Sequence, residues 1–459
     1  MPSSRMSLII PVETQSREFD AKLLLACVAA ERGFPVIMGQ RTEIHMKISS
    51  MPRSIYLAKD MRQSSLRMFE IMHKLGHEIV AWDEEGLVPY DREREYKIRF
   101  CAASMSHVSD IFAWGEENAD MIKGFPAYKD APVHVTGNVR FDMMRAEFQP
   151  FFDEEVAKIR ERFGKFVLIN TNFGANNHYI PELSLVTPGS QPGKSIASRQ
   201  SQRYDAGLIK YRTALFSKFL EFVPAIAGAF PSQHFIIRPH PAENHDPWES
   251  ATAGLDNINV VHEGSVIPWL LASTALIHNN CTTGIEAFVM RVPAISYRPI
   301  ASEEFDRDLP NALCYEMYDF DSLCAKLRSI IDGQIGSCDA PAQWGLIELH
   351  LASLDGKLAS ERIIDVLDQD EAAFKQGAKP SVNDFLGGWF EAVARGARKR
   401  LNALKPGHKN SAQYQRRRFP GISLEEVRDR MGRFRRLLGR FSNLEVDQIS
   451  RNIFRIKAN

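Results

Sequence analysis

The sequence lacks the cysteine patterns of a cross-linked or zinc-bound protein. Its 459 residues include six scattered cysteines: Cys27, Cys101, Cys281, Cys314, Cys324 and Cys338. No pair has the Cys-x-x-Cys spacing of a zinc site, and the six do not form a disulfide framework by spacing. We therefore expect reduced thiols in a cytoplasmic protein.

Long hydrophobic runs are also missing. The apolar run near the N-terminus, Leu8–Ile10, ends at Pro11 and is too short for the core of a signal peptide. No segment approaches the about 18 apolar residues of a membrane-spanning helix. The sequence thus predicts neither a secretion signal nor a transmembrane segment.

Net charge is absent from the chain as a whole, since 57 Lys and Arg balance 57 Asp and Glu. This balance disfavours nucleic acid as a partner. From Glu391 onward, however, 18 basic residues face 6 acidic ones, so the last 69 residues carry about +12 and the other 390 carry −12. Positive charge is therefore concentrated in the C-terminal tail.

What the sequence does contain is a globular composition, 44% hydrophobic and 25% charged, at a length that suggests more than one domain. Short apolar runs alternate with stretches of helical period, which predicts an α/β fold with parallel sheets. Predicted strands form two series: Ser7–Pro11, Pro35–Met38, Ser54–Leu57, Glu78–Trp82, Ile111–Trp114 and His134–Thr136, then Phe166–Asn170, His234–Arg238, Ile258–Val261, Ala275–His278 and Ala294–Tyr297. We expect two Rossmann-like domains at 1–145 and 155–365 that face a cleft, followed by a basic helical tail at 385–459.

Within the tail, Ser423 has the features of an N-cap before an amphipathic helix. One face of that helix would carry five apolar side chains, namely Val427, Met431, Phe434, Leu437 and Leu438, and arginines would fill the other. The arginine face is either an ordinary solvated helix face or a docking surface for an anionic membrane or a phosphorylated lipid carrier.

Two motifs follow strands of the second series. Arg238-Pro239-His240-Pro241 comes directly after a strand, where open α/β sheets bind ligands, and its guanidinium and imidazole suit a phosphate. The alternative is a structural turn. His278–Gly284 also follows a strand, and its residues Asn280, Thr282, Thr283 and Gly284 precede a helix, which is typical either of a phosphate site or of a plain N-cap.

A third motif, Asp83-Glu84-Glu85-Gly86, follows a strand of the first series. A carboxylate there suits a general base or a nucleophile, although acidic turns are also common on surfaces. The polar stretch 176–212 is long enough for a functional loop, but its segment Pro188–Ser195 has the wrong spacing for a Walker A loop. No Asp-x-Asp pair directly follows a predicted strand, so we expect no metal.

Several runs of the sequence together resemble the bacterial surface carbohydrate biosynthesis protein family. The resemblance spans roughly residues 7–300, with a further similar segment at Phe419–Ser423. Its runs are Ile9–Glu13, Ser16–Glu18, Asp83–Leu87, Phe112–Gly115, Thr136–Asp142, Ile169–Gly174, Arg238–Pro241, Glu263–Trp269, His278–Asn279 and Cys281–Gly284. This family name implies a pathway of surface polysaccharide synthesis, in capsule or lipopolysaccharide.

In their order, and in that each follows a predicted strand, three of these motifs also resemble those of GT-B transferases that use CMP-activated acid sugars, the sialyl- and Kdo-transferases. That resemblance implies a GT-B-like fold and a catalytic carboxylate at Glu85, with Asp83 and Glu84 as near candidates. It implies that His240 binds the CMP phosphate and assists its departure, and that Thr282 and Thr283 hold the same phosphate.

The same resemblance implies weaker roles in nucleotide recognition. Glu263 would bind the ribose hydroxyls, and the backbone of Ile267 and Pro268 would read cytosine. We include Arg238, Asn280 and Gly284 in the predicted phosphate site, together with Asn172 and Gly174 of the run Ile169–Gly174.

These observations predict a GT-B glycosyltransferase that needs no cofactor and no metal. Its partners would be a CMP-activated donor of Kdo or another nonulosonic acid, a glycan or lipid-linked acceptor, and an anionic membrane reached through the Arg-rich tail. The expected location is the cytoplasm, peripheral at the inner face of the plasma membrane. Two alternatives stay open: a CDP-alditol phosphotransferase, and a non-catalytic scaffold in polysaccharide assembly.

Overall fold

A computed structural model describes residues 5–89, 91–181, 184, 206–377, 379–405, 408 and 410–459. The chain divides into two compact units. The first combines Met1–Phe151 with Glu348–Asn459, and the second is Phe152–Ile347. Each is built on its own largely parallel sheet with helices, so the predicted α/β fold of two Rossmann-like units is confirmed.

Within the described residues, fourteen strands form the two sheets, and the helices connect them or follow them. The strands are β1 Ser7–Val12, β2 Val36–Gln40, β3 Ser54–Ala58, β4 Glu78–Trp82, β5 Asp110–Ala113, β6 Val133–Val135, β7 Phe166–Asn170, β8 His234–Arg238, β9 Ile258–Val260, β10 Ala275–His278, β11 Ala294–Tyr297, β12 Tyr315–Met317, β13 Leu444–Ser450 and β14 Ile453–Ala458. The α-helices are α1 Gln15–Glu31, α2 Arg41–Lys47, α3 Gln63–Lys74, α4 Arg92–Arg99, α5 Ala102–Met105, α6 Glu116–Lys123, α7 Val139–Asp142, α8 Asp153–Phe163, α9 Ala206–Ala229, α10 Asp246–Ala251, α11 Val266–Ala272, α12 Thr283–Val289, α13 Asp308–Ala312, α14 Phe320–Ile331, α15 Pro341–His350, α16 Ala359–Gln376, α17 Val382–Ala403, α18 Ala412–Arg418 and α19 Leu424–Leu438. Two short 3₁₀ segments, Ile48–Ser50 and Ala146–Phe152, complete the described elements.

The second unit has the strand order β12-β11-β10-β7-β8-β9, with every pair parallel. Counted within the unit, this is the order 6-5-4-1-2-3 of a classical dinucleotide-binding sheet. The order reverses between β7 and β10, so the loops after these two strands lie at the topological switch point. Ligands of open parallel sheets bind at that point, beyond the carboxyl ends of the strands.

The first unit has the order β13-β14-β2-β1-β3-β4-β5-β6. Strands β1 to β6 are parallel, and β1 to β5 are almost entirely buried, which explains their near-continuous apolar sequences. The switch point of this sheet lies between β1 and β3. Its outer two strands come from the C-terminal end of the chain, and β14 pairs antiparallel with β2.

The tail therefore differs from the separate helical segment predicted at 385–459. Strands β13 and β14 extend the first sheet, and Ile453, Phe454 and Ile456 are buried in it. The helices that follow residue 348 also belong to the first unit, because the first N–H groups of α16 donate to the buried carboxylate of Asp142 at 2.8 and 2.9 Å. The second unit consequently ends near Ile347 and not at 365.

Helix α19 forms where the sequence predicts it. Ser423 is its N-cap, in a capping box with Glu426. Its apolar side is not available for docking, however, because Val427, Met431 and Phe434 are buried, and Phe434 stacks on Phe151 at 4.6 Å between ring centroids. The apolar side of α19 is therefore part of the core of the first unit.

Candidate functional site

The predicted phosphate-binding residues of the second unit meet at one edge of its sheet. Strands β10, β7 and β8 are neighbours, so the loops after their carboxyl ends are adjacent. Asn172 donates to the Asn280 carbonyl oxygen at 3.4 Å. A Cβ on Gly174 would lie 3.1 Å from Nδ1 of His240. Glycine at this position therefore lets the β7 and β8 loops approach each other.

His240 is exposed at this edge, and its ring orientation is set by the main chain. The N–H of Ala242 donates to Nδ1 of His240 at 3.2 Å. Because Nδ1 accepts this bond, the neutral ring carries its proton on Nε2. The imidazole is therefore held as an Nε2–H donor, the form that can give a hydrogen bond to a phosphate oxygen.

Glu243 organises these loops, and sequence reasoning missed it. Its carboxylate is fully buried and accepts from the Thr171 hydroxyl at 2.8 Å, the Phe173 N–H at 2.9 Å, the His240 N–H at 3.1 Å and the Trp248 indole N–H at 2.9 Å. Burial raises the pKa of this carboxyl against the effect of its donors. Glu243 thus fixes the β7 loop, the β8 loop and α10 to one another.

Arg238 forms hydrogen bonds with main-chain carbonyl oxygens of the protein. It is buried, and its guanidinium donates to the carbonyl oxygens of Glu263 and Gly264 at 2.7 and 2.6 Å. Burial lowers its pKa to about 10, against the effect of nearby carboxylates. Arg238 therefore positions the loop after β9, and its contact with phosphate stays a prediction.

The residues predicted to recognise the nucleoside lie around that loop and the start of α11. The Glu263 side chain is exposed, and both of its carboxylate oxygens lie 3.2 Å from Nη1 of Arg162. Ile267 and Pro268 are buried at the start of α11, and the Ile267 N–H donates to the Ser265 hydroxyl at 3.4 Å. Their predicted contacts with ribose and cytosine are untested by this geometry.

Asn280 anchors the β10 loop to the segment after β11. It adopts a left-handed backbone with φ of 44°. Its amide donates to Tyr211 at 3.1 Å and to Asp306 at 2.7 Å, while its side-chain oxygen accepts from the Arg307 N–H at 3.2 Å and from Asn311 at 2.6 Å. These four bonds use the amide fully, so the side chain positions the loop and leaves only the main chain for a ligand.

Thr282 and Thr283 occupy the start of α12. Thr282 is at the N-cap position, but its side chain makes no capping bond, so the plain N-cap interpretation is not what the structure has. The Thr283 hydroxyl oxygen is buried, and burial raises the pKa of the nearby Cys281 thiol. Both threonines follow Asn280, whose carbonyl oxygen accepts from Asn172 of the β7 loop.

Gly284 is required by a close approach. A Cβ there would lie 2.4 Å from Nε2 of His278 and 2.9 Å from the Pro310 carbonyl oxygen. His278 is fully buried at the end of β10, 3.2 Å from Sγ of Cys314. Gly284 therefore packs the helix against the strand, and its role is structural.

The burial of His278 predicts an acid sensitivity of the second unit. Burial lowers the pKa of His278 from 6.5 to about 3. Because the unfolded chain binds the proton more tightly, stability present above pH 6.5 is lost as the pH falls toward 3. Between pH 7 and about 5, we expect His278 to account for a loss of about 2 kcal/mol. Denaturant unfolding at the two pH values should show a smaller difference in His278→Gln, and an unchanged difference would contradict this assignment.

In the first unit, the predicted carboxylates follow β4 and have three different environments. Asp83 is buried, with both of its oxygens 3.1 Å from Nη1 of Arg99. Glu84 is buried too, and its Oε1 lies 2.6 Å from Nζ of Lys22. These contacts assign Asp83 and Glu84 to the interior of the unit.

Glu85 is the exposed member, with 43% of its side chain accessible and Nη1 of Arg17 at 2.6 Å. Loss of water around the carboxyl raises its pKa, but the guanidinium groups of Arg17 and Arg99 lower the pKa by a larger amount, so the net shift is downward. Glu85 is consequently ionised at neutral pH. That is the state required of a general base or nucleophile.

Two further predictions concern other parts of the chain. Of the stretch 176–212, residues 182–183 and 185–205, including Pro188–Ser195, lie outside the described residues. Within the described part, Asp110, His134 and Asp370 could share a metal ion, but Asp110 is the first residue of β5 and His134 is the middle residue of β6, so neither lies in a loop after a strand. Strand β12, which the sequence did not predict, is followed by Asp319, whose carboxylate caps α14 at 2.8 Å from the Ser322 nitrogen.

No family model matches the chain, and no curated protein matches it. Among solved structures, the chain is similar to a variant of the wall teichoic acid polymerase TagF, at 9% identity over 81% of this chain and 90% of that one, with a TM-score of 0.48. It is also similar to S. aureus MnaA with UDP, at 13% identity over 82% and 99% with a TM-score of 0.48, and to the UDP-GlcNAc 2-epimerase of Methanocaldococcus jannaschii, at 12% over 79% and 100% with a TM-score of 0.47. No residue correspondence follows at these identities.

Proposed function

We propose that the protein is a GT-B glycosyltransferase of surface polysaccharide or glycoconjugate biosynthesis. It transfers Kdo or another nonulosonic acid from a CMP-activated donor to a glycan or lipid-linked acceptor. The proposal rests mainly on the meeting of the β7, β8 and β10 loops at the switch point of the second unit, where His240 is held as an exposed Nε2–H donor.

In this proposal, His240 donates to the phosphate of departing CMP while the Thr282 and Thr283 hydroxyls bind the same group. Fixed donors of this kind stabilise charge as it develops in the transition state. A monophosphate leaving group carries less charge than a diphosphate, so no metal is included. Glu85, which is ionised, accepts the proton of the acceptor hydroxyl or attacks the anomeric carbon. We expect Glu85→Gln and His240→Ala each to lower turnover by about 10²- to 10⁴-fold.

A thermal-shift series with CMP, CDP, UDP, GDP and ADP tests the donor class. Ligand at a hundredfold excess over its dissociation constant stabilises the folded protein by about 2.7 kcal/mol, and we expect the largest shift with CMP. A preference for CDP, with a phosphodiester product, would support the CDP-alditol phosphotransferase instead. Preference for UDP or GDP would contradict the CMP assignment, and no shift with any nucleotide would favour a scaffold.

We also propose that the C-terminal region contacts an anionic membrane, but through α17 and not through α19. Among the described residues, no helix is long and apolar enough to cross a membrane. Helix α17 instead packs on the first unit with small residues: Ala392 is buried, and a Cβ on Gly388 would lie 2.7 Å from Cβ of Lys74. Its bulky residues are on the outer side.

That outer side is apolar and exposed. Its large side chains range from 39% exposed for Trp389 to 79% for Leu404, and the set is Val382, Phe385, Leu386, Trp389, Phe390, Val393, Leu401 and Leu404. Arg398, Arg400 and Lys405 accompany this face. Aromatic and aliphatic side chains with flanking bases are typical of helices that lie in the interface of an anionic bilayer.

Co-sedimentation with vesicles of phosphatidylglycerol and phosphatidylcholine in equal parts tests this contact. We expect binding that falls by at least about tenfold in a Trp389→Ser, Phe390→Ser double variant, because these exposed side chains would enter the bilayer. Ile449→Ser, at an exposed apolar position on β13, and Arg436→Gln on α19 should bind as the wild type does. Equal vesicle binding by the double variant and the wild type would contradict the proposal. It would also be contradicted if the wild type formed a concentration-dependent dimer and bound no vesicles, and the double variant lost that dimer.

A further inference from the structure

The first unit has a switch point of its own, with charged residues where its strands end. Its sheet order changes direction between β1 and β3, and this is the position at which open parallel sheets bind ligands. Glu13 is the first residue after β1, Arg41 is the first after β2, and Lys59 and Asp60 are the first two after β3. Four charged side chains are thus gathered at the ligand-binding edge.

Basic groups surround the two carboxylates of this edge. Glu13 lies 2.7 Å from Nη1 of Arg418 and 3.5 Å from Nη1 of Arg41, and it also pairs with Lys59. Burial raises the pKa values of Glu13 and Asp60, but the nearby cations, Lys59 and Arg41 for both carboxyls, lower these values by a larger amount. Both carboxyls are therefore ionised at neutral pH.

The C-terminal region supplies more positive charge to the same place. Helix α17 packs on α2, where a Cβ on Gly396 would lie 3.7 Å from the Met46 carbonyl oxygen. The neighbouring Arg395 and Lys399 act on buried His45, whose pKa is held well below its usual value first by burial and then by these cations with Arg41 and Lys59. Arg41, Lys59 and Arg418 therefore lie around Glu13, while Arg395 and Lys399 approach the same edge beside His45 on α2.

Arg395 is the clearest case of positive charge that no carboxylate of the described residues balances. Its guanidinium is partly buried, and no described carboxylate pairs with it. Burial lowers its pKa, and the charged groups that act on it, Arg41, Arg67 and Arg398, lower it further. The Nε atoms of Arg41, Arg62 and Arg395 are buried without a hydrogen-bond partner among the described residues. Arg41 has Glu13 as a counter-charge, but Arg395 has none among the described residues. A partly buried cation in this state is destabilising, and a bound anion would stabilise it.

We propose that this cluster binds a phosphate or diphosphate group at the β1–β3 switch point. Guanidinium groups suit phosphate because they donate two parallel hydrogen bonds. Arg395 and Arg418, which come from the C-terminal region, complete a site begun by the loops after β1, β2 and β3. The proposed site is made only of residues of the first unit, so it does not depend on the donor assignment.

Calorimetric titration of the full chain with inorganic pyrophosphate tests the proposal. We expect Arg395→Gln to weaken pyrophosphate binding by about tenfold, because a charge-assisted bond is lost. The same variant should raise the melting temperature without ligand, because like-charge repulsion is relieved. Arg436→Gln, at an exposed position on α19, should change neither quantity.

Two comparisons separate this site from the proposed nucleotide site. Pyrophosphate binding at the first unit should persist in His240→Ala, and its loss there would place the anion in the second unit and overturn the proposal. Farnesyl diphosphate, which carries the same head on a lipid chain, should show the same dependence on Arg395. Binding of both probes that is unchanged in Arg395→Gln, or no binding by the wild type, would also overturn it.

Discussion

Replacing Glu243 by alanine should destabilise the second unit by about 3–5 kcal/mol, because four buried donors would lose their acceptor. The carboxylate now accepts from Thr171, Phe173, His240 and Trp248. Each unsatisfied donor costs about 1–3 kcal/mol, and part of this sum is recovered by relaxation. Denaturant unfolding, followed by fluorescence of the buried Trp248, measures the effect.

Glu249→Ala is the matched control for this change. Glu249 is exposed on α10, six residues beyond Glu243 in the chain, and its loss should alter stability by less than about 0.5 kcal/mol. Glu243→Gln should be intermediate, because the amide keeps one acceptor oxygen but turns N–H groups toward a donor. A loss below about 1 kcal/mol in Glu243→Ala would show that water satisfies these donors.

Replacing Lys22 by methionine should destabilise the first unit by a similar amount, about 3–5 kcal/mol. Lys22 is fully buried, and its ammonium donates to the Pro11 carbonyl at 2.9 Å while it pairs with Glu18 at 2.8 Å and Glu84 at 2.6 Å. Removing the lysine leaves two buried carboxylates without their counter-charge. Denaturant unfolding at neutral pH measures the loss.

The pH dependence distinguishes this cause from lost packing. Burial raises the pKa of Glu18, but in the wild type Lys22 lowers this pKa by a larger amount, so the net shift is downward. Without Lys22, burial dominates and raises the pKa, so the deficit of Lys22→Met should shrink as the pH falls and the carboxyls take up protons. Lys97→Met, which removes an exposed partner of Glu93 at 3.9 Å, should cost less than about 0.5 kcal/mol at either pH. A deficit independent of pH would indicate packing alone.

The sequence predicts the buried strands well because parallel strands covered on both faces are continuously apolar. Strands β4, β7, β8, β10 and β11 begin and end at the residues that the sequence predicts. Strand β12 has only three residues, too few for a periodic signal. In β13 and β14, charged residues alternate with apolar ones, and the high positive charge of the tail hid this pattern behind that of a solvated helix.

The site could be predicted as far as its location. Carboxyl ends of parallel strands share one edge, so His240, Asn172 and the β10 loop had to be close. The roles of individual side chains could not be predicted, because they depend on bonds between loops that are distant in sequence. Arg238 bonds to the loop after β9, and Asn280 bonds to the segment after β11, and neither contact has a local signal.

Glu243 illustrates the same limit from the other side. In sequence it is one acidic residue in a polar loop, and only the fold shows that it is fully buried with four donors. Lys22 likewise lies in an apolar stretch of α1, and its partner Glu84 is distant in the chain. Such buried charges are set by tertiary contacts, which a single sequence does not display.

The most direct test of the central claim is a calorimetric titration of CMP into the wild type, His240→Ala and His234→Ala. The two histidines lie at opposite ends of β8, so His234 is a matched control. The account predicts that the wild type and His234→Ala bind CMP with equal affinity and that His240→Ala binds at least about tenfold more weakly. Equal affinity of His240→Ala and the wild type would contradict the assignment of the nucleotide phosphate to this edge of the second unit.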